Sequence, residues 1–220
     1  MFGKVDFLSL PQILASTGLF TLSWLAIDRR VTRNGPIPGA RTLSRISNGL
    51  YSPASLLLLL LILDPSRDAQ ARYLYHLSKF YEYSDVLLVR AAGGAIDLHF
   101  AIHHLTTPYL TFFRVVRESE GWRWVAALNA FHHGVMYAYF AGWAAARPVL
   151  PWTGFLQLVV GIGGEGKIAL RKTREGDSAG ANLVGLALLC TYFVLFLRDL
   201  VLRRVEGTEG GEKNYEKKQT

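Results

Sequence analysis

The chain has 220 residues, half of them hydrophobic, and its 24 Lys and Arg against 17 Asp and Glu give a net charge of +7. This length and composition fit one sizeable unit, either soluble or embedded in a membrane. The single cysteine, Cys190, excludes an internal disulfide, a multi-cysteine zinc site and an iron–sulfur centre. The mean hydropathy of +0.21 does not separate a soluble from a membrane protein, so the distribution of charge has to decide.

Charged residues concentrate in five segments, 28–41, 64–72, 114–123, 165–177 and 198–218. Four stretches between them carry no charge and are long enough, or nearly so, to cross a hydrocarbon core of about 30 Å as helices: 7–27, 46–63, 124–146 and 178–197. Three less apolar candidates, 73–90, 96–113 and 149–170, carry charges or histidines that must face a protein interior. Helices are favoured over strands because no alternating apolar pattern occurs. The sequence therefore predicts an all-α polytopic membrane protein, with seven spans in one domain over 1–204 and a polar tail over 205–220.

The basic residues that flank the first and last spans set the expected orientation. Arginines follow the first span, and Arg203 and Arg204 follow the last, so the positive-inside rule predicts a cytosolic C-terminus and an N-terminus on the opposite side. The basic segment 167–174 falls on the far side under this assignment. The final residues, Lys217-Lys218-Gln-Thr, resemble a di-lysine retrieval signal and predict a multi-pass protein of the endoplasmic reticulum membrane.

The third span carries a stripe of ionisable residues at three-residue steps, His76, Lys79, Glu82 and Asp85. Neighbours at this spacing lie on one helix face, where each can pair with the next. One interpretation is a neutral ion chain that packs helices together. The other is a functional cavity, which is favoured because charges at bilayer depth are costly.

Histidines concentrate in the next two spans, in a pattern that predicts a functional site between them. His99 and His103 are four residues apart and share a helix face, whereas His104 lies about 100° further round. The fifth span carries Asn129 and His133, followed by Tyr137, and the sixth carries Gln157. Glycines near a Glu165/Lys167 pair in the sixth span indicate close helix packing better than nucleotide binding.

Four of these stretches, in this order and at roughly this spacing, resemble the membrane-embedded fatty acid elongases of the ELO family. The stretches are Lys79-Phe-Tyr-Glu-Tyr-Ser-Asp85, Leu98-His-Phe-Ala-Ile-His-His104, Asn129-Ala-Phe-His-His-Gly-Val-Met-Tyr137 and Thr153-Gly-Phe-Leu-Gln157. The resemblance covers residues 76–160, and it implies seven spans that enclose an acyl tunnel.

The resemblance also implies an acyltransferase, a very-long-chain 3-oxoacyl-CoA synthase. Such an enzyme condenses malonyl-CoA with a long-chain acyl-CoA, with loss of CO₂, through a histidine-bound acyl intermediate. By matching positions, His103 and His104 are expected as nucleophile and base, with His133 and His99 completing the catalytic set. The supporting or substrate-binding residues expected by the same matching are Lys79, Glu82, Asp85, Asn129, Tyr137 and Gln157. No cofactor beyond the two CoA substrates, no metal and no nucleic-acid partner is expected, whereas the bilayer and other enzymes of the elongation cycle are expected partners.

The histidine box differs from the family pattern, because H-x-x-x-H-H contains one residue more than H-x-x-H-H. A π-bulge within the box would absorb the extra residue and return His99 to the face of the others. The longer box also resembles that of di-iron membrane desaturases and hydroxylases, although six histidines are fewer than such a centre needs. Two alternatives therefore stay open: an elongase-like lipid-binding protein without catalysis, and a di-iron enzyme.

Overall fold

The computed structural model describes residues 9–117 and 120–216, with side chains as far as Leu202. The described residues form helices and no strand, which confirms the predicted all-α class. The eight α-helices are α1 (Leu10–Asn34), α2 (Ala40–Leu63), α3 (Asp68–Tyr81), α4 (Tyr83–Ala91), α5 (Leu98–Thr111), α6 (Trp122–Ala141), α7 (Leu150–Glu175) and α8 (Gly180–Glu216). Short 3₁₀ segments cover Pro65–Arg67 and Ala144–Val149, and a π-helical segment, Phe112–Arg117, continues α5.

The third predicted span is divided between α3 and α4, which meet at Glu82. This residue keeps right-handed helical dihedrals, φ −62° and ψ −16°. The Asp85 amide donates to the Glu82 carbonyl only three residues away, at 3.2 Å, so the regular hydrogen-bond ladder is interrupted there. Counting α3 and α4 together, the described helices correspond one to one with the seven predicted spans.

Membrane character is visible in what the helices expose. By length and composition, α1, α2 and the part of α8 over residues 180–202 can each cross a bilayer. On α2, Leu50, Leu57 and Leu60 are each more than 60% exposed, whereas the interior of the bundle holds charged and polar side chains. Apolar side chains outside and polar side chains inside are the arrangement that a lipid solvent favours.

Helices α2 and α6 form the most extensive packing contact. Small residues permit it: a Cβ on Gly134 would meet Leu56 Cδ2 at 2.6 Å, and the Ser52 hydroxyl donates to the Gly134 carbonyl at 2.8 Å. Ala126 and Ala130 are buried in the same interface. This close approach brings polar side chains of α2 and α6 to the same level as Glu82.

The last helix passes the boundary expected between domain and tail. The backbone of α8 continues to Glu216, although the domain is predicted to end at residue 204. The terminal residues 217–220, which include the predicted retrieval signal, lie outside the described residues.

Candidate active site

Glu82 is the centre of a buried polar cluster to which α2, α3, α5, α6 and α7 contribute side chains. Its side chain is 0% exposed, and its Oε1 atom receives three donors. Lys79 Nζ lies 2.6 Å away, the Tyr51 hydroxyl 3.1 Å away, and His133 Nδ1 3.1 Å away. Because burial makes an uncompensated carboxylate costly, these contacts are what allow Glu82 to lie inside the bundle.

Asn129 on α6 connects this carboxylate to the neighbouring helix α7. Its Oδ1 accepts from Lys79 Nζ at 2.8 Å and from the Tyr75 hydroxyl at 3.0 Å. Its Nδ2 donates to Gln157 Oε1 at 3.0 Å and lies 3.3 Å from His133 Nε2. An Asn129 amide that donates to Nε2 requires the His133 tautomer with its proton on Nδ1, which is the nitrogen that faces Glu82.

The second half of the histidine box reaches this cluster. Ring nitrogens of His103 and His133 and a carboxylate oxygen of Glu82 all lie within 4.8 Å of one another. His104 is buried, its ring centroid lies 5.3 Å from that of His103, and its Nδ1 has no hydrogen-bond partner among the described residues. His103 on α5 therefore meets His133 on α6 at Glu82, with His104 buried beside His103.

His99 does not join them, which corrects the prediction that a bulge would restore its position. The box lies in a regular α-helix, and the π-helical segment begins only at Phe112. His99 instead pairs with Asp199 of α8, Nδ1 to Oδ2 at 3.1 Å, and its side chain is 23% exposed. Without an irregularity inside the box, the extra residue leaves His99 at the outer end of α5.

The charged stripe of the third span is only partly an ion chain. Lys79 and Glu82 pair as the spacing predicts, but Asp85 accepts a short hydrogen bond from the Tyr137 hydroxyl. His76 Nδ1 lies 2.7 Å from the Thr111 hydroxyl. Each of the two outer members of the stripe therefore has a partner on another helix, α6 for Asp85 and α5 for His76.

Tyr51 is the site residue that sequence reasoning missed. It lies on the charge-free second span, where a tyrosine is unremarkable, and only the contact between α2 and the α3–α4 junction brings its hydroxyl to Glu82. Its ring also packs edge-on against Tyr137, with 4.5 Å between centroids. The polar serines and asparagine of α2 gave no pattern that could have indicated this contact.

A second buried charge pair lies between α7 and the π-helical segment. Glu165 contacts Arg114 of the π-helical segment, with both carboxylate oxygens 2.8 Å from Nε, and accepts from Asn182 Nδ2 at 2.8 Å. Arg114 is 3% exposed, although the sequence places it in a charged border segment. The π-helical extension of α5 carries Arg114 into the bundle, where it ties α7 and α8 together.

Glu82, His103 and His133 form a candidate set of metal ligands. Lys79 Nζ, however, is 2.6 Å from the Glu82 oxygen and already supplies a positive charge there. A divalent ion at this position would be repelled by the ammonium group, and three ligands are fewer than a di-iron centre requires. The geometry therefore favours a metal-free use of the histidines.

Comparison with known proteins identifies a family whose pattern covers the residues of this cluster from Tyr75 to Gln157. A family model described as ELO, the GNS1/SUR4 family, matches residues 63–201. The chain belongs to the ELO family. Every predicted site residue lies inside the matched region, whereas Tyr51, α1 and most of α2 lie before it.

Two curated relatives show the same likeness at low identity. Fatty acid elongase 1 of Trypanosoma cruzi (strain CL Brener) is 28% identical over 134 residues, which are 56% of this chain and 46% of that protein. Very long chain fatty acid elongase 6 of Drosophila melanogaster is 27% identical over 139 residues, 57% of this chain and 44% of that protein. These matches thus cover less than half the length of the curated relatives. No solved structure gives a significant match.

Proposed function

We propose that this ELO-family protein acts in fatty acid elongation as the condensing enzyme, a 3-oxoacyl-CoA synthase that joins malonyl-CoA to a long-chain acyl-CoA. The observation that carries the proposal is the meeting of His103 on α5 with His133 on α6 at the buried Glu82–Lys79 pair, with His104 buried beside His103. Family membership and the elongase names of both relatives support the reaction class.

His103 is the proposed nucleophile. Its ring is only partly buried, next to a buried carboxylate and a second histidine. A neutral imidazole attacks the acyl-CoA carbonyl, the CoA thiolate leaves with the imidazole proton, and the acyl group remains on the ring nitrogen. His104, whose Nδ1 makes no hydrogen bond to the described residues, is the proposed base for that proton.

The second half-reaction forms the carbon–carbon bond. Malonyl-CoA loses CO₂, the released electron pair becomes the carbanion at C2, and this carbanion attacks the acyl-imidazole carbonyl. His103 then leaves as the nitrogen anion and takes up one proton from outside the reactants. The sum is one CO₂, one free CoA and one 3-oxoacyl-CoA, with one proton consumed per turnover.

Gln157 is the best-placed donor for the developing negative charge on the carbonyl oxygen. Its Oε1 accepts from Asn129, so its amide NH₂ group remains as a donor for a bound thioester. The Tyr137 hydroxyl, predicted for the same task, is directed to Asp85. Asp85 and Tyr137 therefore have a supporting role beside the Lys79–Glu82 pair.

The CoA end of each substrate is proposed to lie at the basic end of α2. Arg90, one candidate for a phosphate contact, is held by Asp28 at 2.6 Å and Thr32 at 3.0 Å. Arg41 and Arg45 instead line a groove of about 500 Å³ between α2 and α4. Arg45 precedes Tyr51 by six residues, about 9 Å along the helix, which places the groove close to the cluster.

The acyl chain is proposed to lie among apolar side chains on the other side of the histidines. The ring of Tyr192 on α8 lies 4.9 Å from that of His103, centroid to centroid. Leu158 and Leu189 extend this apolar cluster between α7 and α8. An apolar path that begins at the proposed nucleophile is what a fatty acyl group requires.

The proposal places the protein in the endoplasmic reticulum membrane, with a cytosolic C-terminus and with access to other enzymes of the elongation cycle. Reporters fused to each end test the orientation, and finding both ends on one side of the membrane rejects it. Changing Lys217 and Lys218 to serine tests the retrieval signal, because the variant should leave the endoplasmic reticulum.

Malonyl-CoA-dependent extension of acyl-CoA by microsomes that contain this protein tests the proposed activity. Wild-type protein should extend the chain by two carbons, and His103→Ala should reduce the rate by several orders of magnitude because the covalent path is removed. Cys190→Ser is the matched control and should retain activity. No extension by folded wild-type protein would favour the lipid-binding alternative. The observation that supports this alternative is the position of His99, which lies apart from the group around Glu82. Stoichiometric iron in purified protein would favour a di-iron enzyme instead.

A further inference from the structure

We propose that Asp199 and His99 form the solvent-side entrance of a proton path to the histidines of the buried cluster, with Asp199 as the residue that positions His99. The inference rests on the proposed condensation. Asp199 belongs to none of the motifs that carry the family resemblance. Its role follows from the position that the structure gives to His99.

The condensation requires a proton that the site does not hold in reserve. Each turnover takes up one proton from solution when the acyl group leaves His103. His103 is only partly buried, but its neighbours Glu82, His104 and His133 are 0%, 4% and 4% exposed, so water has little access from their side. Membrane proteins commonly move protons to such sites along chains of Asp, Glu and His.

The observed side chains form such a series from the surface inward. Asp199 and His99 are 18% and 23% exposed, and their oxygen and nitrogen are 3.1 Å apart. The His99 and His103 ring centroids are separated by 6.1 Å. His103 then lies with a ring nitrogen within 4.8 Å of the Glu82 carboxylate and of His133. Every step from solvent to the proposed nucleophile therefore passes between titratable groups.

Asp199 gives His99 the tautomer that this task needs. A carboxylate facing Nδ1 accepts a hydrogen bond from the proton on that nitrogen and leaves Nε2 as the basic nitrogen, as in an Asp–His pair of a hydrolase. His99 takes up a solvent proton at Nε2 and becomes an imidazolium that Asp199 stabilises. It then gives that proton from Nε2 to the ring nitrogen of His103 and returns to its neutral form with the proton on Nδ1, and no electron is transferred. The extra residue in the histidine box thus gives His99 a role at the outer end of the site.

The surroundings of His99 are simple enough for this role to be tested. Phe196 of α8 packs edge-on against its ring, with 6.3 Å between centroids, and His103 is the other ring in contact. Asp97 caps α5 by accepting from the Phe100 amide, and Arg198 is exposed. Asp199 is therefore the acidic side chain paired with His99 among the described residues.

The test compares Asp199→Asn, Asp199→Glu and His99→Ala in the extension assay, with kcat and KM measured across pH. Asp199→Asn should lower kcat by about 10²-fold with little change in KM, and Asp199→Glu should restore most of the rate. Imidazole added to His99→Ala should restore part of the rate, because a free base replaces the missing ring. Asp97→Asn is the matched control, since it removes an exposed carboxylate two residues before His99 but keeps a side chain that can cap α5.

The possible results separate this inference from the proposed function. Wild-type extension together with an unchanged kcat and pH profile in Asp199→Asn overturns the proton path and leaves the condensing activity standing. A loss of activity that imidazole does not restore in His99→Ala, and that Asp199→Glu shares, assigns the pair to helix packing and also overturns the inference. A loss that Asp97→Asn reproduces is a general effect of negative charge at this end of α5 and overturns it as well. Absence of extension by folded wild-type protein removes the proposed function and the inference together.

Discussion

Lys79 Nζ lies 2.6 Å from Glu82 Oε1, and both side chains are almost completely enclosed, at 2% and 0% exposure. A buried pair of this kind is sensitive to the loss of one partner, because the remaining charge is then left without compensation. The pair also connects α3 to Glu82, the residue at which the helix is irregular and α4 begins.

Lys79→Met should destabilise the protein by about 3–5 kcal/mol, since it leaves the Glu82 carboxylate unpaired inside the bundle. The double variant Lys79→Met/Glu82→Gln should be more stable than the single one, because no uncompensated charge remains. Thermal unfolding in detergent measures both. Arg67→Met, in an exposed pair with Asp64, is the control and should have little effect. Additive effects at positions 79 and 82 would show that the two side chains do not interact.

Tyr51→Phe should lower stability by about 2 kcal/mol, because it removes a hydrogen bond to a charged group and leaves the ring in place. We also expect weaker extension activity, since the Glu82 oxygen that contacts His133 loses a donor. Tyr81→Phe removes an exposed hydroxyl contact with Ser47 between the same helices and serves as the control. Equal behaviour of the two variants would contradict the role given to Tyr51.

Local spacing explains which parts of this site could be predicted from the sequence. Lys79 and Glu82 are three residues apart on one helical segment, so their contact follows from helix geometry alone. The meeting of His103 with His133 was predictable from the concentration of histidines in two neighbouring spans, and the family motifs support it. Tyr51 and Asp199 could not be predicted, because their contacts depend on how α2 and α8 pack against other helices.

Helix geometry accounts for the positions of His99 and Arg114. His99 was expected within the histidine cluster, but the box is regular and the irregular segment lies after Thr111, so His99 lies one turn out from His103 and pairs with Asp199. The π-helical segment after Thr111 brings Arg114 inside the bundle, although charged residues next to a span are usually exposed at the membrane border. The composition of the chain does not indicate where a π-helical segment will form.

Gly185→Ala should disrupt the Arg114–Glu165 pair. A Cβ at Gly185 would lie 3.1 Å from Arg114 Cγ and 3.4 Å from Glu165 Cδ, and Arg114 cannot yield easily because its guanidinium is held by Glu165 and the Glu120 carbonyl. Gly163→Ala on α7 has open space around the new methyl group and should be neutral or stabilising, by up to about 1 kcal/mol. Melting temperatures in detergent compare the two. A melting temperature of Gly185→Ala equal to that of the wild type would show that the pair tolerates movement.

Mapping of acyl adducts tests most directly whether the acyl group is transferred to a histidine of this cluster. Wild-type protein incubated with a long-chain acyl-CoA, without malonyl-CoA, should yield an acylated peptide when digested and analysed by mass spectrometry. We predict the adduct on His103, with His104 or His133 as the acceptor if the box is used differently, and we predict its release as 3-oxoacyl-CoA when malonyl-CoA is added. An adduct on Cys190, or undiminished extension by each of the His103→Ala, His104→Ala and His133→Ala variants, would contradict the mechanism.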